Sequence, residues 1–202
     1  MIIVFFHYYF NKDHIIYGEE VNMRLFTAVT FDEDIRDSLY EVINMLRPLT
    51  VKGSFTLKEN LHLTLNFIGE TSDVDSVRKA MEQAVLSTGM ENFNITISGF
   101  GRFKSRDGDI CWLGVKREER LWRLQRELSD QLRAVGFVLE KRDYTPHLTL
   151  ARRVHFAKGF DVSEISRNIP VLMQKVGKVS LMKSERINGK LTYTEVYSAA
   201  LE

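Results

Sequence analysis

The chain predicts an α+β fold of two pseudo-symmetric lobes, built mostly from antiparallel strands with accompanying helices. Three observations predict it. Stretches in which apolar and polar residues alternate are interspersed with stretches whose apolar residues recur at helical period. Strand-like runs are joined by tight-turn signals such as Asp107-Gly108. The tetrapeptide HLTL stands at residues 62–65 and again at 147–150, each time in strand-rich sequence. Outside these copies the two halves share little, so this is not a tandem-repeat array.

The elements are taken in chain order. RLFTAVTF, from Arg24, reads as a strand. Asp32 is placed to cap a helix that ends before Pro48, with Ile35, Leu39, Val42, Ile43 and Leu46 on one face. SFTLKENLHLTLNFIG is extended, with a turn near Lys58-Glu59-Asn60. A second helix is expected over 73–86, with Val74, Val77, Met81 and Val85 inward and Gly89 at its end. FNITISGFGRF and DICWLGV form a hairpin across KSRDG. The strongest helical stripe is Leu121, Leu124, Leu128 and Leu132, predicting a helix over 118–135 closed by Gly136. Extended segments are expected at 137–141, 145–154, 171–183 and 191–200.

Composition narrows the function. Hydrophobic content of 44% and charged content of 27% fit an ordinary globular domain. A net charge of +1 lacks the broad basic excess of proteins that track along a duplex, so any nucleic-acid contact is local. The single cysteine, Cys111, has no partner for an intramolecular disulfide, which fits a reducing cytoplasm, and it reads as a small core side chain. The opening MIIVFFHYYF has no basic region before it and no small-residue cleavage site after it, and is too short to span a bilayer. Gly18-Glu19-Glu20-Val21 precedes Met23 and its codons can resemble a purine-rich ribosome-binding site. Residues 1–22 are therefore expected to be a translated leader or N-terminal extension, and 23–202 a single bilobal domain.

Alternation within a strand places His62 and Thr64 on one face and Leu61, Leu63 and Leu65 on the other, and likewise His147 and Thr149 against Leu148 and Leu150. One His-x-Thr on a half-buried strand is commonly no more than a polar face. Two copies facing each other across a cleft make a site of two imidazoles and two hydroxyls. One imidazole can accept a proton while the other donates one. A hydroxyl donates a hydrogen bond to a phosphate oxygen without adding charge. Two histidines on opposite sides of phosphorus suit in-line displacement without a covalent enzyme intermediate. A metal site is the rival use of paired histidines, but neither motif carries Asp, Glu or Cys within its strand, and His7, His14 and His155 read as incidental. No metal or cofactor is expected.

MRLFTAV at 23–29, ENLHLTLNFIGE at 59–70 and YTPHLTLAR at 144–152 resemble the two-histidine phosphoesterase superfamily, in particular the RNA 2′,3′-cyclic phosphodiesterases historically called 2′-5′ RNA ligases. The resemblance covers about residues 23–200. It implies two antiparallel-sheet lobes, helices outside, around a central cleft, and hydrolysis of a ribose 2′,3′-cyclic phosphate to a 2′-phosphate. It implies that His62 protonates the departing 3′ oxygen, that His147 deprotonates water, and that Thr64, Thr149 and Arg152 hold phosphate. Arg152 has the wrong strand parity for this and reaches the cleft only if the strand bulges, twists or ends near Ala151. Phe67 and Tyr144 are candidates to stack on a base or to pack the fold. Arg102, Lys104 and Arg106 form either a basic lip or an ordinary exposed hairpin end. RNA ends or small cyclic nucleotides are the implied partners, with no membrane, and a monomer is the default. Ligation in the reverse direction and a non-catalytic nucleotide-binding module are the alternatives.

Overall fold

The computed structural model describes residues 22–202, together with the backbone pairing of β1 (Phe10–Asn11) with β2 (His14–Ile15). The expected leader otherwise lies outside the described residues. From Met23 the order is β3 (Met23–Thr30), α1 (Glu33–Leu46), β4 (Thr50–Phe55), β5 (His62–Thr71), α2 (Val74–Thr88), β6 (Phe93–Phe103) and β7 (Asp109–Val115). It continues with α3 (Glu119–Ala134), β8 (His147–Phe156), α4 (Val162–Asn168), β9 (Leu172–Val176), β10 (Lys178–Ile187) and β11 (Lys190–Ala200).

The helices form where the apolar stripes predict them. Leu39, Val42, Ile43 and Leu46 of α1 are buried, as are Val77, Met81 and Val85 of α2 and all four leucines of the α3 stripe. Gly89 closes α2 in the left-handed region at φ 50°, where a side chain would be strained. Asp32 stands at the N-cap of α1 but makes no side-chain cap; its carboxylate accepts from Gln174 Nε2 at 3.1 Å and so ties α1 to β9.

Antiparallel pairing throughout gives a four-stranded sheet in the order β11-β10-β3-β5 and a five-stranded sheet in the order β4-β8-β7-β6-β9 among the described residues. The lobes are thus not consecutive halves of the chain. The first sheet takes two strands from each end of the domain, while β4 crosses to pair with β8. Helices α2 and α3 pack together and meet the first sheet at β11 and β5; α1 meets β9 and α4 meets β6. One apolar core runs through both lobes.

Three expectations are corrected. Residues 137–141 form no strand, because the Gly136 turn at φ 97° leads into an irregular passage that runs to His147. The expected segment 171–183 is two strands broken at Gly177, which turns the chain from one sheet to the other. Helix α4 is additional to the expected elements, being too short to show a clear period.

Candidate active site

Strands β5 and β8 open with the two HLTL copies and meet one another between the sheets. Their first six residues share one burial pattern: half-buried His62 and His147, buried Leu63 and Leu148, half-buried Thr64 and Thr149. Leu65 and Leu150 are buried, Asn66 and Ala151 are buried too, and Phe67 and Arg152 are exposed. Two buried residues in succession break the alternation, and the register shows why. Ala28 faces Thr64 but Thr27 faces Asn66; Trp112 faces Thr149 but Cys111 faces Ala151. Each HLTL strand therefore carries one extra residue at its fourth position, a β-bulge that reverses the parity of the residues after it as far as a second register shift later in the strand. The bulge turns Asn66 inward, where its Nδ2 donates to Ser129 Oγ at 2.6 Å. It turns Phe67 and Arg152 to the side of the histidines, which resolves the parity objection to Arg152. A second irregularity occurs at Arg153, whose φ of 54° is unusual for a non-glycine residue.

Both imidazoles are fixed the same way. His62 Nδ1 donates to the Asn60 carbonyl at 2.7 Å, and His147 Nδ1 to the Thr145 carbonyl at 2.7 Å. A proton held at Nδ1 leaves Nε2 as the reactive nitrogen in each ring. His62 Nε2 then accepts from the Thr64 hydroxyl at 2.9 Å. Asn60 is the residue whose positioning role sequence reasoning missed. It is buried, its Nδ2 donates to the Leu191 carbonyl at 2.8 Å, and its Oδ1 accepts from the Tyr193 N–H at 3.1 Å. No sequence signal marked it, since its side-chain partners Leu191 and Tyr193 lie about 130 residues away.

His62 is pulled below its ordinary pKa, chiefly by burial, and further by the positive charges of Arg152 and His147, while its bond to Asn60 opposes the shift. Two groups carried by β8 of the other sheet thus act on His62 in β5. Arg152 Nη2 also reaches Thr149 Oγ1 at 3.5 Å, and its charge is felt by Tyr193. A cationic guanidinium beside the Thr149 hydroxyl, with its charge felt at His62, is a ready anion site.

Aromatic side chains wall both histidines, and these too were missed. Phe26 and Tyr193 lie 4.9 and 5.1 Å from the His62 ring. Phe103 and Trp112 lie 5.2 and 6.1 Å from the His147 ring. Gly101 makes room for Trp112: a Cβ there would sit 2.2 Å from the indole carbons. Phe67 is 49% exposed and 6.3 Å from Phe26, so a free ring face borders the cleft. Tyr144 is differently engaged. Its hydroxyl donates to the Thr64 carbonyl at 3.2 Å and its ring meets Trp122 edge-on at 5.7 Å, so it braces the approach to His147 against β5. Arg102 is turned away from the lip, paired with Asp109 at 3.0 Å and lying over Phe156. Cys111 is buried, with its thiol pushed up to about 12 by desolvation, as suits a core residue. Among the described residues no three of His, Cys, Asp and Glu gather closely enough to hold a metal, and no helix is long and apolar enough to cross a membrane.

Comparison with known proteins fits this geometry. An RNA 2′,3′-cyclic phosphodiesterase of Methanothermobacter thermautotrophicus is 34% identical over 87% of this chain and 97% of its own length. One from Thermotoga maritima is 33% identical over 64% of this chain and 70% of its own. The crystal structure of E. coli LigT complexed with 3′-AMP superposes with a TM-score of 0.69 at 27% identity, covering 90% of this chain and 99% of that one. The family model for the 2′-5′ RNA ligase superfamily matches residues 35–188. With its doubled HLTL strands, matched bulges and paired imidazoles, the chain belongs to the 2′-5′ RNA ligase superfamily, the two-histidine phosphoesterases.

Proposed function

We propose that this protein is an RNA 2′,3′-cyclic phosphodiesterase that opens the cyclic phosphate to a 2′-phosphomonoester without a metal, acting as a monomer in the cytoplasm. The observation that carries the reading is the matched pair of Nε2 atoms. Each is freed by a matching Nδ1 bond, and the charges of Arg152 and His147 both act on His62. His62 is assigned as the proton donor to the 3′ oxygen and His147 as the acceptor from water. The hydrogen bonds that fix His62 are part-buried whereas the one that fixes His147 is exposed, so water meets His147 first. Unliganded, His62 favours the neutral form. A bound phosphate anion supplies the opposite field and offsets the repulsion of Arg152, restoring the proton that the acid must carry. Thr64, Thr149 and Arg152 hold the non-bridging oxygens, and Phe67 offers a stacking face for a base. Tyr144 acts by positioning Thr64.

Incubation with nucleoside 2′,3′-cyclic monophosphates and a cyclic-ended oligonucleotide tests the reading. It should yield 2′-phosphates, with undiminished rate in EDTA. His62→Ala and His147→Ala should each lose about 10²- to 10⁴-fold in kcat, the usual worth of general acid–base catalysis. Full turnover by either variant, or exclusive 3′-phosphate product, refutes it.

A further inference from the structure

We propose that the exposed aromatic surface beside His147 seats the base of a second RNA end, the one whose 5′-hydroxyl takes the place of water in ligation. The inference rests on the assignment of His147 as the base that activates the nucleophile. In an in-line displacement the nucleophile approaches opposite the leaving 3′ oxygen, so whatever carries it is bound on the His147 side.

That side is built for a nucleoside. Phe103 and Trp112 lie 5.1 Å apart with planes tilted by 34°, and both flank the His147 ring. Phe103 is 39% exposed although Phe93, Ile95 and Ile97 earlier in the same strand are buried. One face of the indole covers the bare backbone of Gly101, and its Nε1–H is covered and has no partner among the described residues. What remains for the cleft is ring surface, which stacks on any base. The His62 side differs: there Phe26, which flanks the imidazole, is only 3% exposed and packs with Ala28 and Met182.

Charge supports the same occupant. Lys104 and Arg106 come directly after Phe103 in the β6–β7 turn, are exposed, and have no ion-pair or hydrogen-bond partner among the described residues. The turn's one carboxylate, Asp107, leaves the tip net positive, and Asp109 is already neutralised by Arg102. A strand stacked on Phe103 by its first base would carry its next phosphates past these two cations.

The step balances. His147 Nε2 takes the proton of the 5′-hydroxyl, the 5′ oxygen bonds to phosphorus, and the P–O3′ bond breaks. The 3′ oxygen takes a proton from His62 Nε2. A 2′-5′ phosphodiester and a 3′-hydroxyl result, and no other reactant is consumed.

The test supplies one cyclic-ended RNA with a 5′-hydroxyl acceptor at varied concentration and measures ligated and hydrolysed products together. Phe103→Ala should raise the half-saturating acceptor concentration about tenfold, within the range of one stacked base, and lower the ratio of ligated to hydrolysed product. An acceptor with an abasic first residue should show the same rise with the wild-type protein and little further rise with Phe103→Ala. The double variant Lys104→Ala/Arg106→Ala, at an exposed turn where folding is not at stake, should weaken long acceptors more than a dinucleotide. Equal losses of ligation and hydrolysis, indifference to the acceptor's base, or hydrolysis with no ligation at any acceptor concentration each overturn the acceptor site. Failure of the wild-type protein to form either product overturns the catalytic reading itself.

Discussion

Gly101→Ala tests whether the floor under His147 is set by packing. The Cβ it adds would lie 2.2 Å from Trp112 Cη2 and Cζ2, where ordinary carbon contacts begin at 3.4 Å. The ring must therefore retreat by about 1 Å, or β6 must shift away from β7. Neither is free, since Phe103 and the His147 imidazole crowd the indole at centroid distances of 5.1 and 6.1 Å. Overpacking of this kind costs about 1–3 kcal/mol. At about 2–4 °C per kcal/mol for a domain of this size, Tm should fall by several degrees. Displacement of a wall of the site by about 1 Å can cost up to about 10²-fold in rate. The assay pairs thermal unfolding with near-ultraviolet circular dichroism, in which Trp112 is one of only two tryptophans, and with cyclic-phosphate hydrolysis. An unchanged Tm, an unchanged tryptophan signal and a rate within twofold of wild type would refute the packing argument.

Three other predictions concern His62 and its support. Arg152→Met removes a positive charge that lowers His62, so the His62 pKa in the free protein should rise; an NMR titration showing no rise disproves the proximity. Because the folded pKa of His62 lies below its ordinary 6.5, the unfolded chain binds the proton first as pH falls. The stability this histidine contributes should be intact above pH 6.5 and lost as pH drops toward its folded value. Urea midpoints measured across that window should flatten in His62→Asn, and an identical slope counts against burial as the cause. Asn60→Ala strips the Leu191 carbonyl and Tyr193 N–H of their partner and should cost about 1–3 kcal/mol. It should also broaden the His62 resonance by loosening the loop whose carbonyl holds Nδ1; wild-type stability and line shape would show the clamp to be idle.

The sequence carried the helices well, because a stripe such as Leu121, Leu124, Leu128 and Leu132 admits one buried face. It singled out His62, Thr64, His147 and Thr149 as candidates because the motif occurs twice. Arg152 stayed ambiguous because strict alternation cannot express a bulge, and the extra residue sits inside an unbroken apolar run at Leu150-Ala151. Trp112 and Phe103 were illegible as site residues for a different reason. In DICWLGV and FGRF nothing distinguishes an aromatic ring that faces the cleft from one that faces the core, and only the pairing of Gly101 with Trp112 does so. The exchange of strands between lobes was equally hidden, since pairing of β3 with β10 joins residues almost the whole domain apart.

That exchange bears on how the molecule comes into being. Strand β3 is among the first segments of the domain to leave the ribosome, yet one of its two edges stays bare until β10 and β11 have been synthesised. Closing so long a loop is slow and gains little until the last strands arrive. Asn60 cannot find Leu191 and Tyr193 any sooner, so the His62 side of the cleft is completed last. A chain truncated before β10 should therefore hold both histidines and yet turn over no cyclic phosphate.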